Sequence, residues 1–367
     1  MIPISKPIIG DEEVKAVVDV LRSGMLVQGK KTQELERRFA EFCGVKHAVA
    51  LNSGTAAIHA ALYALGIKEG DEVITAPFTF VASANPVLMQ GGSVVFADIL
   101  PDTFAIDPAC IEQAITKKTK AIIPIDLFGL AADYARIQKI ADDHDLFVVE
   151  DACQAHGAKF LGKMAGSLGD LACFSFYATK NMMCGEGGMV TTDDPEYAEL
   201  CRRFRHHGQS EQTRYEYYDI GYNYRIMDLT AALALAQLDR LPGFIAARQR
   251  NAGFYGQGLA GVPGITLPKT PKGYDHVYNQ YTILCDNKTV MRDKLAADLK
   301  EQGIGTSIYY PKPLHLHRHF AKLGYKIGDF PVSEEFATRV LSLPVGPHVS
   351  ESDTRAIIST IKKICGA

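Results

Sequence analysis

The hydrophobic pattern of the first half of the chain alternates between short apolar runs and amphipathic stretches. The apolar runs predict strands at 47–51, 72–76, 94–98, 121–125, 146–150, 171–176 and 189–192. The amphipathic stretches predict helices at 11–23, 32–43, 56–65, 81–90, 109–116 and 133–143. Continuous apolar strands that alternate with helices favour a mostly parallel sheet covered on both faces, and therefore an α/β fold.

The pattern changes at Pro242-Gly243, which we interpret as a domain boundary. Helices are predicted before and after this point, at 195–204, 228–241 and 244–259. Beyond it, predicted strands at 278–285 and 304–310 mix with helices at 290–302, 333–341 and 351–363. We therefore expect a large α/β domain over residues 1–241 and a smaller α+β domain over 242–367. The first helix is a candidate to pack on the smaller domain.

Composition narrows the class of protein. The 367 residues are 47% hydrophobic and 22% charged, with a net charge of −3 and no basic block, so neither nucleic acid nor a membrane is an expected partner. No apolar signal region or run of about 18 apolar residues is present. The eight cysteines form no CxxC pair, which is typical of reduced thiols in a cytoplasmic protein. The His-x-His-x-His of 315–319 lacks accompanying Cys or carboxylate ligands, so we expect no metal.

A single lysine in a loop between two predicted strands is the first candidate for chemistry. Lys180 lies between the strands at 171–176 and 189–192, and three glycines follow it: Gly185, Gly187 and Gly188. A desolvated lysine has a lowered pKa and a nucleophilic amine. An ordinary surface lysine would fit this stretch equally well when it is considered alone.

Three other stretches could accompany a reactive lysine. Asn52-Ser-Gly-Thr55 joins a predicted strand to a helix start, where free N–H groups bind anions or where Ser53 or Thr55 merely caps the helix. Asp151 follows a buried strand, either as a functional acid or in an ion pair or cap. The turn Pro77-Phe-Thr-Phe80 offers exposed aromatic rings. An amine, phosphate donors, a strand-end acid and a flat ring are together what pyridoxal phosphate requires.

These stretches give the chain a specific resemblance. Over nearly its whole length it resembles the DegT/DnrJ/EryC1/StrS family of sugar aminotransferases, which have the fold type I, aspartate-aminotransferase-like architecture. The motifs that carry the resemblance are Leu51-Asn-Ser-Gly-Thr-Ala-Ala57, Pro77-Phe-Thr-Phe-Val-Ala82, Glu150-Asp-Ala-Cys-Gln-Ala-His-Gly157, Phe174-Ser-Phe-Tyr-Ala-Thr-Lys-Asn181, Gly185-Glu-Gly-Gly188, Gly221-Tyr-Asn-Tyr-Arg225 and Leu343-Pro344.

The resemblance implies catalytic and cofactor-binding roles for the matching residues. Lys180 would form the Schiff base with pyridoxal phosphate and later move a proton between carbons. Asp151 would hold the protonated ring nitrogen, which lets the ring accept electrons. The residues expected to bind the phosphate are Gly54, Thr55, Ala56 and Ser175.

The same resemblance implies contacts to the ring, a neighbouring subunit and the substrate. Gln154 would bind the ring hydroxyl, and Phe80 would stack on the ring. Asn223 would reach the phosphate of a neighbouring subunit, which implies a homodimer with shared active sites. In the segment 309–315, Tyr309 and His315 are weaker candidates for contacts to the sugar.

The implied reaction is a two-stage transamination. Glutamate leaves its amino group on the cofactor and departs as 2-oxoglutarate, and a keto sugar carried on a nucleotide then accepts the amino group. Gly185-Glu-Gly-Gly188 favours amination at C4 of the sugar. A 3-keto sugar or a non-nucleotide ring, such as a cyclitol or an aminobenzoate, are the alternatives.

Two further alternatives change the chemistry more deeply. Some relatives are dehydratases in which histidine replaces the lysine, and Lys180 argues against that activity. A non-catalytic regulator is less consistent with this chain, because no helix-turn-helix or basic patch is present and every cofactor position is filled.

Overall fold

A computed structural model describes residues 1–210, 212–213 and 215–367. Within these residues the α-helices, in chain order, are α1 (Asp11–Ser23), α2 (Lys30–Cys43), α3 (Gly54–Ala64), α4 (Asn85–Met89), α5 (Pro108–Ala114), α6 (Tyr134–His144), α7 (Pro195–Arg205), α8 (Asp228–Gly258), α9 (Arg292–Glu301), α10 (Arg318–Ala321), α11 (Pro331–Arg339) and α12 (Glu351–Cys365).

The strands form one large sheet and two small ones. In chain order they are β1 (His47–Leu51), β2 (Glu72–Thr75), β3 (Ser93–Phe96), β4 (Thr119–Ile123), β5 (Phe147–Asp151), β6 (Lys159–Phe160), β7 (Lys163–Met164), β8 (Leu171–Ser175), β9 (Gly188–Thr192), β10 (Ile265–Thr266), β11 (Tyr274–Asp275), β12 (Tyr281–Cys285) and β13 (Val340–Leu343). The small sheets have the orders β10-β12-β13 and β11-β6-β7.

The large sheet has the strand order β1-β9-β8-β5-β4-β2-β3. All of its neighbouring strands run parallel except at β9, which is antiparallel to both β1 and β8. The mostly parallel sheet predicted from the continuous apolar runs is therefore confirmed. Successive residues of β1 explain those runs: Val49 packs with α3 on one face, while Ala48 and Ala50 pack with α2 on the other.

The largest correction concerns Pro242. We expected the chain to break there, but α8 continues through it from Asp228 to Gly258. The missing N–H of Pro242 removes one intrahelical hydrogen bond, and burial on both sides offsets that loss. Leu241 packs in the core beneath the large sheet, and Tyr255 packs in a separate core against β12 and β13. A division at 241/242 thus falls inside one helix, and the two-domain division stays a prediction.

Smaller differences follow from local backbone chemistry and distant contacts. The helix expected at 81–90 is a 3-10 turn, Val81–Ser83, followed by the short α4. The strand expected at 304–310 was wrong, because only isolated bridges form there, at Ile304 and Ser307. Helix α1 lies on α8, where Glu13 accepts hydrogen bonds from Gln237 and Arg240.

No helix in the described part of the chain has both the length and the apolar character that a membrane span requires.

Candidate active site

A cavity of about 690 Å³ opens at one edge of the large sheet. The parallel strands end at this edge and the antiparallel β9 begins there, so their connecting loops converge on it. The residues that line the cavity are Ser53, Gly54, Thr55, Ile58, Thr79, Phe80, Ala82, Ser83, Ile125, Asp151, Cys153, Gln154, Ser175, Tyr177, Thr179, Lys180, Glu186, Gln280, Tyr309 and Tyr310. Eight of the eleven predicted site residues are among them.

Lys180 projects into this cavity from the loop between β8 and β9. Its backbone N–H donates to the carbonyl of Tyr177 at 2.9 Å, which fixes the tight turn that carries the side chain. Desolvation by the surrounding protein lowers the pKa of the Lys180 amine, while nearby Cys153 and Asp151 oppose that shift. The amine is thus more readily deprotonated than an exposed lysine, as a nucleophile requires.

Asp151 is the last residue of β5 and is only 4% exposed. Its Oδ2 accepts a hydrogen bond from the Ser83 hydroxyl at 2.6 Å, and its Oδ1 accepts from the Cys153 N–H at 3.2 Å. The Ser83 hydroxyl lies 3.0 Å from that of Thr79. These neutral contacts fix the orientation of the carboxylate without neutralising it, so a cationic nitrogen in the cavity would be its natural partner.

The start of α3 supplies donors for an anion. Ser53 is the N-cap, and its hydroxyl accepts from the Ala56 N–H at 3.1 Å. The cap is therefore confirmed at Ser53, and the N–H groups of Gly54 and Thr55, two residues that line the cavity, precede the capped position and are candidates to bind an anion. The Ala56 N–H is already used by the cap, which makes Ala56 a weaker phosphate donor than expected.

Two glycines allow three chain segments to meet here. A Cβ on Gly54 would lie 2.8 Å from the Cβ of Ser175, and a Cβ on Gly188 would lie 2.2 Å from the Ser53 carbonyl oxygen. Neither position has room for a side chain. This close approach brings the hydroxyl of Ser175 beside the start of α3.

Gln154 and Phe80 occupy the part of the cavity nearest the C-terminal half. Gln154 Oε1 accepts from the Phe128 N–H at 2.8 Å, and its Nε2 donates to the Tyr310 hydroxyl at 3.3 Å. Phe80 is 56% exposed, with its ring centroid 6.3 Å from that of Tyr310. The neighbouring Phe78 is 1% exposed, so only one of the two aromatic rings expected to be exposed is available.

Two predicted residues lie away from the cavity. His315 is completely buried, with Nε2 3.0 Å from Glu334 Oε1, so its position does not support a contact to substrate. Asn223 is exposed between Tyr222 and Tyr224, whose rings stack at 4.9 Å. The Asn52 N–H donates to the Tyr224 carbonyl at 2.8 Å, which ties this segment to the turn before α3.

Several cavity residues were missed by the sequence analysis. Ser83 and Cys153 lie in or beside motifs, so a search for partners of Asp151 could have found them. Gln280 carries no local signal, because tertiary folding alone brings the segment before β12 to the cavity.

The remaining histidines of the 315–319 motif bind protein groups. His317 Nε2 lies 3.4 Å from the Lys312 carbonyl, and His319 Nε2 lies 3.3 Å from Asn85 Oδ1. Over the described ranges, no group of three or more His, Cys, Asp or Glu side chains is arranged to hold a metal ion.

The arrangement fits pyridoxal phosphate. Free N–H groups and two hydroxyls gather at the start of α3, an oriented carboxylate lies across the cavity, and a lysine amine projects between them. The contacts at Gly54 and Gly188 admit no side chain, so the chain segments of Ser53 and Ser175 can approach closely at the start of α3.

Comparisons with known proteins agree with this chemistry. The sequence model of the DegT/DnrJ/EryC1/StrS aminotransferase family matches residues 7–362. The chain is 42% identical to the spore coat polysaccharide biosynthesis protein SpsC of Bacillus subtilis, over 99% of this chain and 97% of that protein. It is 40% identical to the UDP-N-acetyl-3-dehydro-alpha-D-glucosamine 3-aminotransferase of Acidithiobacillus ferrooxidans, over 96% and 94%. Spr1654 of Streptococcus pneumoniae, solved in its PLP form, matches with a TM-score of 0.94 at 32% identity, over 100% and 98%.

Proposed function

Since the chain belongs to the DegT/DnrJ/EryC1/StrS aminotransferase family, we propose that it transfers an amino group from glutamate to a keto sugar carried on a nucleotide. The chain is a pyridoxal phosphate-dependent sugar aminotransferase. The proposal is supported above all by the meeting of Lys180, Asp151 and the start of α3 around one cavity. The name of the Acidithiobacillus relative supports a nucleotide-linked acceptor.

In this proposal the cofactor is held from three sides. The N–H groups of Gly54 and Thr55 and the hydroxyl of Ser175 bind its phosphate, where the positive end of α3 adds a favourable potential. Asp151 keeps a proton on the ring nitrogen, and Phe80 covers the ring. The bound cofactor supplies an electron sink for the bond that breaks at the amino-bearing carbon.

Lys180 has two successive tasks. Its amine attaches the cofactor covalently, for which the lowered pKa of Nζ is an advantage because only the neutral amine has a free electron pair. When it is not bound to the cofactor, Nζ would accept a proton from one carbon and return it to another. The same side chain therefore serves as nucleophile and as general base.

A 4-keto sugar is the first candidate for the acceptor. Gly185-Glu-Gly-Gly188 supports it, and Glu186 of that motif lines the cavity. The 3-aminotransferase relative favours a 3-keto sugar as the second candidate. A cyclitol or aminobenzoate-type acceptor would differ from both, because the purified protein would then not bind a nucleoside diphosphate.

We also propose a homodimer in which Asn223 completes the neighbouring site. Asn223 is exposed, and the neighbouring sequence carries several large apolar or aromatic side chains that are also exposed: Tyr217, Ile220, Tyr222 and Met227. A surface of this kind is typical of an interface. Mixing Lys180→Ala and Asn223→Ala proteins under subunit exchange should restore activity, because one of the two mixed sites is then intact. No recovery with proven exchange would count against shared sites.

The decisive experiment for the function is an amination screen with glutamate. The acceptors are UDP-, dTDP- and GDP-linked 4-keto and 3-keto sugars, and the products are identified by mass. We expect one linked keto sugar to gain an amino group. Formation of 2-oxoglutarate with a non-nucleotide ring, and with none of the linked sugars, would overturn the proposed substrate class.

A further inference from the structure

Two carboxyl groups lie buried against each other behind the cavity. Asp126 follows β4 and Glu150 is the penultimate residue of β5, and both are 0% exposed. The parallel bridge between Ile125 and Asp151 sets Asp126 and Glu150 on the same face of adjoining strands, where the two carboxyl groups approach each other and each acts on the pKa of the other. Glu150 and Asp151 are consecutive residues of one strand, so they point to opposite faces of the sheet. The contact thus lies on the face opposite the cavity-lining Asp151.

Three of the four carboxyl oxygens of Asp126 and Glu150 accept hydrogen bonds from described residues, and the fourth does not. Glu150 Oε1 accepts from the Gly166 N–H at 2.7 Å, and its Oε2 accepts from the Leu168 N–H at 3.0 Å. Asp126 Oδ1 accepts from the Ala132 N–H at 2.9 Å and from the Tyr134 hydroxyl at 3.0 Å. Asp126 Oδ2 is buried and receives no hydrogen bond from any residue that the structure describes. Two ionised carboxylates cannot donate to each other, whereas a proton on this oxygen allows Asp126 to donate to Glu150.

We propose that Asp126 and Glu150 share one proton at neutral pH, carried mainly on Asp126 Oδ2, so that the two buried groups bear a single negative charge. The site of the proton follows from the donors, because both oxygens of Glu150 already accept from backbone N–H groups, as a carboxylate does. Desolvation raises the pKa of Asp126, and the neighbouring Glu150 charge raises it further. Desolvation also raises the pKa of Glu150, to about 7.

The shared proton affects the position of Asp151 through backbone hydrogen bonds. The Asp126 N–H donates to the Asp151 carbonyl at 3.1 Å, and the Asp151 N–H donates to the Pro124 carbonyl at 2.9 Å. The proton therefore holds together the strand ends that present Asp151 to the cavity. Asp126 and Glu150 are positioning residues, since neither lines the cavity.

Other titratable groups of the described residues face the pair from neighbouring elements. They comprise tyrosine hydroxyls, cysteine thiols and a further carboxylate: Tyr134, Tyr274, Cys43, Cys173 and Asp151. None of these groups can supply a positive charge, so a second ionisation of the pair would have no compensation.

Asp126→Asn is the sharpest test, because an amide donates the same hydrogen bond without an ionisable proton. In the wild type, the folded chain keeps a proton that the unfolded chain releases near its ordinary pKa of about 3.9, so raising the pH favours unfolding. The ratio of the unfolding constant of the wild type to that of Asp126→Asn should rise by up to about tenfold per pH unit above that value. The rise should stop once the folded pair loses its proton.

Infrared spectroscopy gives an independent readout. The wild type at neutral pH should show the C=O stretch of a buried protonated carboxyl group, and Asp126→Asn should lack it. Should that variant not fold, Glu150→Gln serves instead. It should lose the same band, because its amide can donate to an ionised Asp126.

Asp98→Asn is the matched control. Asp98 is another buried carboxyl group, but both of its oxygens accept hydrogen bonds, from donors on residues 99, 332 and 333. The ratio of the unfolding constant of the wild type to that of Asp98→Asn should not rise with pH. A ratio for Asp126→Asn that stays flat, or a carboxyl band that persists in both Asp126→Asn and Glu150→Gln, would overturn the proposal.

Discussion

The two sides of the cavity are built from different kinds of structure. The side that we propose holds the cofactor, here called the cofactor side, consists of strand ends and a helix start in the large sheet, represented by Gly54, Asp151 and Lys180. The side that we propose faces the substrate, here called the substrate side, consists of irregular segments from the C-terminal half, represented by Gln280 and Tyr310. Backbone contacts that admit no side chain hold the first side, whereas a few side-chain contacts hold the second.

This difference separates a fixed region from an adjustable one. At Gly54 an added methyl group would meet Ser175 at 2.8 Å, so the cofactor side has no freedom to vary. The two sides touch through the 3.3 Å hydrogen bond from Gln154 to Tyr310 and the ring contact of Phe80 with Tyr310. Substitutions on the cofactor side should therefore abolish activity or cofactor binding, and those on the substrate side should change selectivity.

Lys180→Ala should have the largest effect. The loss of both the nucleophile and the general base should lower turnover by at least about 10²- to 10⁴-fold. After reduction with borohydride, the wild type should retain cofactor covalently and the variant should not. Thr179→Ala, which alters a neighbouring cavity residue, is the control, and it should retain the cofactor covalently after reduction. Covalent retention by Lys180→Ala would rule out Lys180 as the attachment residue.

Asp151→Asn should have the second-largest effect on activity. The amide has almost the same shape, so the protein should fold and retain cofactor, but the ring nitrogen loses the charge that keeps it protonated. We expect turnover to fall by about 10²-fold or more, with a changed absorbance spectrum of the bound cofactor. Unchanged turnover in this variant would contradict the assigned role of the acid.

Gly54→Ala tests the fixed geometry itself. The new Cβ must displace Ser175 or the start of α3, which should cost about 1–3 kcal/mol of stability and weaken phosphate binding. Gly253→Ala is the matched control, because it lies in α8 with no atom within 4 Å of the added Cβ. There alanine should stabilise the helix by about 0.4–1 kcal/mol. Equal thermal stability and equal cofactor affinity of the two variants would contradict the close-approach argument.

Tyr310→Phe should have the smallest effect and tests the link between the two sides. Without the hydroxyl, Gln154 Nε2 loses the oxygen to which it donates, at a cost of about 0.5–1.5 kcal/mol. This corresponds to a rise of up to roughly tenfold in KM for the sugar substrate. Cofactor affinity should change less than KM, because Gln154 Oε1 retains its hydrogen bond from the Phe128 N–H. A loss of cofactor affinity larger than the change in KM would show that the two sides are not separable.

The same division explains what could be predicted from the sequence. Lys180, Asp151 and the start of α3 have local signals, because a strand end or helix start is encoded by its own neighbours. Gln280 reaches the cavity through tertiary folding, which leaves no local mark. His315 shows the opposite case: its motif drew attention to it, but its partner Glu334 holds it in the interior.

The fold shows the same limit at larger scale. The strands of the large sheet and the first helices were predicted within a few residues, since burial on both faces requires continuous apolar runs. The helix break predicted at Pro242 was wrong, because the prediction used only the local effect of proline. It did not include the two cores against which the two halves of α8 pack. Burial by distant partners overrode the local preference of one residue.

The continuity of α8 also restricts how this chain can change length. Each residue added to an α-helix turns the rest of that helix by about 100° and advances it by about 1.5 Å. One residue inserted between Leu241 and Phe244 would rotate Tyr255 away from the Pro344 carbonyl, to which its hydroxyl now donates at 2.7 Å. Insertions and deletions are thus excluded from the middle of α8 even though Pro242 and Gly243 make that stretch resemble a loop.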